Sequence, residues 1–194
     1  MKIMTDNLLR EYINRCKTWS NIYEHLPVLK RYSSKCNHVT EFGVWKANSS
    51  IGLMAGLPKT MRSYDIREFS LATTQLLHSL ASENNIDYQF NIQSSIEITI
   101  NQTDLLFIDS LHLYEHLKKE LEMHHTKVNK YMIFHDTVEC ATSGMDIKGT
   151  RYPGKGLMTA IEEFLLGNQE WVIKEHFMNN YGLLVLKRRE QINS

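Results

Sequence analysis

Four segments of strand-like residues each end on a carboxylate, and carboxylates that are grouped together can bind hydroxyls, amines or a metal ion. The residues are Glu41, Asp65, Asp109 and Asp136. Continuous apolar runs are typical of strands in a parallel sheet that helices cover on both faces. All strands of such a sheet end at one edge, and ligands bind outside that edge. We therefore expect the four acids to line one crevice, which would suit a phosphate group poorly.

Two histidines lie close in sequence to the last two of these acids. His112 stands three residues after Asp109, and His135 immediately precedes Asp136. An imidazole titrates at about pH 6.5, so either histidine is suited to take a proton from a substrate at neutral pH. Because side chains alternate along a strand, we expect the His135 ring and the Asp136 carboxylate to point to opposite sides. A purely structural role is the alternative for each histidine.

The acids Asp109 and Asp136 also suggest a metal site. They end two strands that we expect to be neighbours, about 5 Å apart. Their carboxylates could therefore share one divalent cation. Oxygen ligands without cysteine favour Mg²⁺ or a similar hard cation over zinc. The alternative is that Asp109 only hydrogen-bonds a cofactor or a loop and that no metal binds.

Alternating strands and helices must position these residues. Strands are predicted to end at Glu41, Asp65, Ile92, Asp109 and Asp136. Helices are predicted at residues 49–56 and around Phe69–Leu80, and a third helix is predicted whose buried face runs from Leu113 to Val128. A further helix, Leu157–Leu166, is expected to end with Gly167 at the C′ position. Repeated strand–helix units favour an α/β fold.

The last two predicted strands distinguish this sheet from an all-parallel one. They are Trp171–Phe177 and Leu183–Lys187, and only residues 178–182 join them. A parallel crossover needs about a dozen residues, so the pair must be antiparallel. The predicted fold class is thus α/β, with a Rossmann-like doubly wound sheet, mostly parallel, a C-terminal antiparallel hairpin and helices on both faces.

The first part of the chain is predicted to be helical. Residues 6–16 show helical spacing behind Asp6 as a possible N-cap, and a second helix is expected over residues 19–32, with its start uncertain because of Pro27. We expect residues 1–37 to pack on one compact domain formed by residues 38–194. The crevice described above would belong to that domain.

Composition excludes several classes of partner. Lys and Arg together number 22, as do Asp and Glu, so no net charge points to nucleic acid or to an anionic membrane. Cys16, Cys36 and Cys140 lie far apart, which argues against a disulfide framework and fits a reducing compartment. No apolar run approaches the roughly 18 residues of a membrane span. We expect a cytoplasmic protein, with the oligomeric state open and a homodimer among the options.

Three segments resemble a known family. Residues 41–50 (EFGVWKANSS) resemble motif I of class I S-adenosylmethionine-dependent methyltransferases. Residues 104–115 (DLLFIDSLHLYE) and 131–137 (YMIFHDT) are similar to the motifs that end strands four and five in its small-molecule O-methyltransferase branch, which includes macrocin-type sugar O-methyltransferases. The resemblance spans about residues 38–188, and the predicted terminal hairpin agrees with it.

The resemblance implies a role for each motif. The cofactor S-adenosylmethionine would contact Glu41, Gly43, Val44, Asn48, Ser49, Asp65, Ile66, Gln93, Ser94 and Asp109. Within that set, Asp65 would bind the ribose hydroxyls, and Gln93 and Ser94 would lie at the adenine. Asp109, Asp136 and Thr137 would hold a divalent cation, and His112 or His135 would act as the base.

The long segment between the fifth strand and the next helix is also informative. Loops of this length in compact domains are usually functional or disordered. Residues 138–155 begin at the acidic edge, so we interpret them as a lid that faces the substrate, with Arg151, Tyr152 and Lys155 as contacts.

Two functional hypotheses follow. The first is methyl transfer from S-adenosylmethionine to a hydroxyl of a small molecule, for example a sugar, with metal assistance. The second is a catalytically inactive cofactor-binding or regulatory module. Ala47 stands where the family usually has glycine, and Thr137 where metal-dependent members have asparagine or aspartate. A nicotinamide oxidoreductase is disfavoured, since the glycine spacing of a dinucleotide-binding turn is missing.

Overall fold

The computed structural model describes residues 3–190, which form nine strands and six α-helices. In chain order these are α1 (Asp6–Lys17), α2 (Leu26–Ser33), β1 (His38–Phe42), α3 (Asn48–Met54), β2 (Thr60–Asp65), α4 (Leu71–Glu83), β3 (Asp87–Ile92), β4 (Thr103–Ile108), α5 (Tyr114–His124), β5 (Val128–His135), β6 (Ser143–Met145), β7 (Arg151–Pro153), α6 (Leu157–Gly167), β8 (Trp171–Phe177) and β9 (Leu183–Arg188). Short 3₁₀ helices cover Tyr23–His25, Ser95–Glu97 and His125–Lys127.

Seven strands form one sheet in the order β3-β2-β1-β4-β5-β9-β8. Strands β1 to β5 are parallel, whereas β9 is antiparallel to both β5 and β8. The predicted fold class is confirmed, including the antiparallel hairpin. The chain reverses its direction of winding between the neighbouring strands β1 and β4, and a crevice forms at such a switch point in open α/β sheets.

The helices cover both faces of the sheet, and strand alternation divides the core between them. Leu105 and Phe107 of β4 pack on the face that carries buried residues of α1 to α4. Leu106 and Ile108 of the same strand pack on the other face, against buried residues of α5 and α6. Because β4 is buried on both faces, it reads in sequence as a continuous apolar run.

The N-terminal helices lie against α3. A Cβ added to Gly52 would lie 3.1 Å from Leu26 Cδ2, and one added to Gly56 would lie 2.6 Å from Ser33 Cβ. The Ser33 hydroxyl also donates to the Leu53 carbonyl at 2.7 Å. This close approach connects α2 to the helix that follows the first strand.

Two predicted N-terminal features differ from the structure. Asp6 is the first helical residue of α1 and Thr5 precedes it as the N-cap, so the predicted cap is wrong by one residue. The helix expected over residues 19–32 is a 3₁₀ turn followed by α2, which has Pro27 in its first turn. Within a helix, proline is tolerated in the first turn, where its missing N–H has no helical partner. The α-helix therefore begins next to Pro27 and not at residue 19.

Two later predictions are also corrected. Val128 begins β5 instead of lying on the buried face of α5, because the helix ends at His124. Gly167 is the last residue of α6 and not a left-handed C′ residue. The helix end is satisfied by Asn168, whose side-chain amide donates to the Phe164 carbonyl at 2.8 Å. Within residues 3–190, no helix is both long and apolar enough to cross a lipid bilayer.

Candidate active site

Two aspartates and two histidines meet at the carboxyl ends of β4 and β5. His112 Nε2 lies 3.2 Å from Asp109 Oδ1 and 3.0 Å from Asp136 Oδ2. His135 Nδ1 lies 3.2 Å from Asp109 Oδ1 and 3.5 Å from Asp136 Oδ2. We call these four residues the acid–histidine cluster. The side chains come together because β4 and β5 are neighbouring parallel strands that end at the same edge.

The backbone at Asp136 corrects the prediction that its carboxylate and the His135 ring point to opposite sides. Strand β5 ends at His135, and Asp136 has a left-handed conformation with φ of 56°. Alternation applies only within extended backbone, so the turn brings the Asp136 carboxylate to the side of the His135 ring. Burial opposes ionisation of Asp136, but hydrogen bonds from His112 and His135 hold its pKa well below its usual range.

His135 is surrounded only by hydrogen-bond acceptors. Its Nδ1 faces the two carboxylates, and its Nε2 lies 3.1 Å from the Asn21 carbonyl and 3.3 Å from the Asn180 carbonyl. These contacts to acceptor oxygens favour the imidazolium form, in which both ring nitrogens donate. Burial disfavours this charge, but the Asp109 carboxylate outweighs it and raises the pKa of His135 to about 10. In the imidazolium form His135 has no free lone pair, and the choice of base between His112 and His135 stays a prediction.

His112 is the histidine that remains accessible, with 20% of its side chain exposed. Burial again opposes its charge, whereas hydrogen bonds to Asp109 and Asp136 raise its pKa well above the usual value. Its backbone carbonyl accepts from Met145 N at 2.8 Å. The β6–β7 hairpin therefore lies directly beside His112.

Asp109, His112 and Asp136 offer ligand atoms that all lie within 4.8 Å of one another. Two carboxylate oxygens and one imidazole nitrogen are ligand types of divalent cations, and the imidazole suits Mn²⁺ or Zn²⁺ better than the predicted Mg²⁺. The predicted third ligand was Thr137. Its buried hydroxyl lies 3.1 Å from His176 Nε2 on β8 instead, because the turn at Asp136 directs the next side chain away from the cluster. His112 instead offers the third potential ligand atom.

The Glu41 carboxylate, a predicted cofactor contact, is hydrogen-bonded within the fold. Its fully buried carboxylate accepts from the hydroxyls of Ser49, Ser50 and Ser63 at 2.7, 2.8 and 2.6 Å. Burial raises the pKa of Glu41 to about 7, although the three hydroxyls favour the ionised form. These bonds connect β1, α3 and β2, and the cofactor contacts of Glu41 and Ser49 stay predictions.

The turn after β1 requires glycine at its first position. Gly43 has φ of 79°, and a Cβ there would lie 2.0 Å from the Asp109 carbonyl oxygen. Trp45 and Ala47 also have positive φ, of 43° and 60°, although neither is glycine. A left-handed conformation costs free energy in a residue with a Cβ, so this turn holds strain.

Asp65 stabilises the same turn. Its Oδ2 accepts from the backbone N–H groups of Val44 and Trp45 at 2.8 and 3.1 Å, and its Oδ1 accepts from Arg67 N at 3.0 Å. The predicted ribose contact would have to share or replace these bonds. Asn48, another predicted cofactor residue, accepts from Arg15 Nη1 of α1 at 2.6 Å.

The remaining predicted adenosine contacts lie together beyond β2 and β3. Ile66 is 58% exposed, Gln93 is exposed and Ser94 is half-buried. Gln93 N donates to the Asp65 carbonyl at 2.9 Å, which holds the turn after β3 beside the end of β2. The structure thus separates the predicted residues into an adenosine side and the acid–histidine cluster, with β1 between them.

Residues 138–155 are more ordered than a lid without regular structure. They contain the β6–β7 hairpin, and the three predicted substrate contacts bond to other residues of the chain. Arg151 pairs with Glu139, the Tyr152 hydroxyl donates to Asp146 Oδ2 at 3.0 Å, and Lys155 Nζ lies 2.7 Å from Glu163 Oε1.

Sequence reasoning missed two buried residues near the site. His25 Nε2 lies 3.0 Å from the Asn179 carbonyl, and its ring centroid is 5.8 Å from that of His135. Burial and the charge of His135 lower the pKa of His25. Glu120 of α5 is fully buried and accepts from the hydroxyl of Ser110, the residue after Asp109. No spacing signal marks His25, whereas Glu120 lies three residues after Leu117, on the buried face of the helix.

No family model matches this chain, and no curated protein matches it. Solved structures do resemble it along nearly its whole length. A Corynebacterium glutamicum protein has a TM-score of 0.67 at 10% identity, with 98% of this chain and 93% of that chain covered. This chain shares the fold of that structure, a Rossmann-like, mostly parallel sheet with a C-terminal antiparallel hairpin.

Two other similar structures contain S-adenosylmethionine (SAM) or its demethylated form, S-adenosylhomocysteine (SAH). The O-methyltransferase from Bacillus cereus in complex with SAH has a TM-score of 0.61 at 14% identity, covering 96% of this chain and 93% of that chain. The O-methyltransferase TomG from Streptomyces achromogenes, involved in tomaymycin synthesis and solved with SAM, has a TM-score of 0.60 at 12% identity, covering 98% of this chain and 92% of that chain. The macrocin-type branch is not distinguished by these likenesses.

Proposed function

We propose that this protein transfers a methyl group from S-adenosylmethionine (SAM) to a hydroxyl of a small molecule. The acid–histidine cluster at the ends of β4 and β5, beside the Gly43 turn, is the observation that carries the proposal. Support comes from the fold, which O-methyltransferases solved with SAM or SAH share. A sugar is our first choice of acceptor, because the sequence motifs resemble those of macrocin-type enzymes and the cluster is acidic.

The proposed cofactor site lies at the switch point between β1 and β4. Gly43 lets the backbone come close to a ligand there, and Asp65, Ile66, Gln93 and Ser94 form the adenosine side. When bound, SAM supplies a methyl group that is already activated as a sulfonium. The protein must therefore align the acceptor with that methyl group, and alignment of this kind can contribute about 7–11 kcal/mol.

The acid–histidine cluster would remove the acceptor proton. In the reacting form the Nε2 proton of His112 has been released to solvent; the Nε2 lone pair then takes the acceptor proton, and Asp109 and Asp136 stabilise the imidazolium that forms. Because these carboxylates raise the pKa of His112, the reacting form is more populated at higher pH. His135 stays protonated and offsets part of the charge of the two aspartates. A divalent cation held by Asp109, His112 and Asp136 would supply Lewis-acid stabilisation of the alkoxide. In that arrangement His112 is a ligand, and the base is a group of the substrate or solvent.

An Asp136→Asn variant tests the reaction. We expect turnover to fall by a factor of about 10² or more, since Asp136 contacts both histidines, while the affinity for SAH stays within about threefold. Formation of SAH with a panel of sugar and phenol acceptors measures turnover, and calorimetric titration measures binding. Asp6→Asn, at an exposed position of α1, is the matched control. Unchanged turnover in Asp136→Asn would contradict the role of the cluster.

One observation favours the second candidate, an inactive module of the same fold. The Asp65 carboxylate is occupied by the Val44 and Trp45 N–H groups, and the turn keeps Trp45 and Ala47 in left-handed conformations. Titration with SAM and SAH, with and without Mg²⁺ or Mn²⁺, separates the two candidates. Binding of neither compound under any of these conditions would favour the inactive module.

A further inference from the structure

Glu120 is a fully buried carboxylate to which the proposed chemistry gives no role. Its Oε1 accepts from the Ser95 hydroxyl at 2.5 Å and from the Ser110 hydroxyl at 2.6 Å. His116 Nε2 lies 3.3 Å from the same oxygen. Burying a carboxylate costs free energy unless it is hydrogen-bonded, and the two serine hydroxyls offset that cost.

The two serines belong to different turns at the carboxyl edge of the sheet. Ser95 follows Gln93 and Ser94 in the turn after β3, whereas Ser110 directly follows Asp109 in the turn after β4. Strands β2 and β1 lie between β3 and β4 in the sheet, so these turns do not meet through strand pairing. Glu120 connects them through one oxygen atom.

Other contacts hold the same arrangement. His124 Nε2, also on α5, lies 2.8 Å from the Ser95 carbonyl. Glu120 Oε2 has no hydrogen-bond partner among residues 3–190. Glu120 lines a cavity of about 10 Å³, close to the size of one water molecule, and His112 and His135 line it as well. The carboxylate is therefore adjacent to both the adenosine-side turn and the acid–histidine cluster.

We propose that Glu120 is a positioning residue that fixes the distance between the two halves of the cofactor site. This inference rests on the proposed function. Ser95 sets the place of the turn that would hold adenine, and Ser110 sets the place of Asp109. A ligand that spans both halves needs them at one separation, whereas a ligand that touches only the adenosine side does not.

The test compares two ligands of different length. SAH spans both halves, and adenosine reaches only one. In Glu120→Ala and Ser110→Ala, we expect SAH affinity to fall by about tenfold or more and adenosine affinity by less than about threefold. Glu120→Gln, which keeps an oxygen for the two serines, should recover much of the SAH affinity. Calorimetry measures both dissociation constants, and Glu122→Gln, at an exposed position of the same helix, is the control.

The outcomes distinguish this inference from the proposed function. An unmodified protein that binds no SAH overturns both. Binding of SAH by the unmodified protein, with equal losses for SAH and adenosine in the variants or with no loss, overturns only the positioning role. Should Glu120→Ala fail to fold, the ratio of the two affinities in Ser110→Ala and Glu120→Gln decides the question.

Discussion

Glu41 shows at the scale of one residue how a motif acid can serve the fold. Its side chain is fully buried, and the hydroxyls of Ser49, Ser50 and Ser63 donate to its carboxylate. Burial raises its pKa to about 7 from an ordinary value of 4.5. Glu41, an acid in a motif that resembles a cofactor contact, is thus a titratable group that connects β1, α3 and β2.

A Glu41→Gln variant should change how stability depends on pH. Because the folded-state pKa is raised, the contribution of Glu41 is fully favourable below about pH 4.5 and is lost as the pH rises through about 7. The unmodified protein should therefore lose about 3 kcal/mol relative to Glu41→Gln between these pH values. Urea unfolding at a series of pH values gives the difference. Parallel pH curves for the two proteins would show that Glu41 does not titrate there.

At the scale of elements, the N-terminal 3₁₀ helix docks on the turn between β8 and β9. His25 approaches the carbonyls of Asn179 and Asn180, while Asn180 Nδ2 donates to the Ser20 carbonyl at 3.1 Å. The same Asn180 carbonyl faces His135 Nε2. The N-terminal 3₁₀ helix and the β8–β9 turn, which are far apart in sequence, thereby pack together beside His135 of the acid–histidine cluster.

Removing the imidazole of His25 should weaken this docking. His25→Phe keeps an aromatic ring against Phe177 but removes the imidazole contact to the Asn179 carbonyl, which still accepts from Gly182 N at 2.9 Å. We expect a loss of about 0.5–1.5 kcal/mol in the free energy of unfolding, the usual net contribution of one hydrogen bond. Urea denaturation measures it, with His78→Phe at an exposed position as the control. Equal stability of the two variants would show that the contact contributes little.

At the scale of the whole molecule, the proposed cation would bind the folded chain and not the unfolded one. The three ligand atoms come from the turns after β4 and β5, so only the folded sheet assembles them. Binding to the folded state alone stabilises a protein by about 2.7 kcal/mol when the ligand is at 100 times its Kd. An imidazole ligand suits Mn²⁺ or Zn²⁺ better than Mg²⁺.

Thermal unfolding with added Mn²⁺ tests which residue completes the site. The melting temperature should rise in the unmodified protein and in Thr137→Val, because the Thr137 hydroxyl contacts His176 and not the cluster. It should rise much less in His112→Ala, which lacks the third ligand. EDTA should reverse the shift. A shift that survives in His112→Ala but disappears in Thr137→Val would restore Thr137 as the ligand.

The amino-acid sequence was sufficient for the sheet and for the place of its acids. Strands β4 and β5 are largely apolar runs, and β1, β2, β4 and β5 each end within one residue of the predicted position. The short link between β8 and β9 allowed only a hairpin. Resemblance of the motifs then pointed to the fold that the similar structures share.

Tertiary structure alone decided which side chains face each other. The left-handed turn at Asp136 reversed the expected alternation, directed Thr137 to β8 and left His112 as the third potential ligand. The burial of Glu41, Glu120 and His25 depends on serines and carbonyls that lie far away in the chain. Local sequence patterns show which segments form strands and which of their residues are apolar. The hydrogen-bond partners of a side chain depend instead on how distant segments pack.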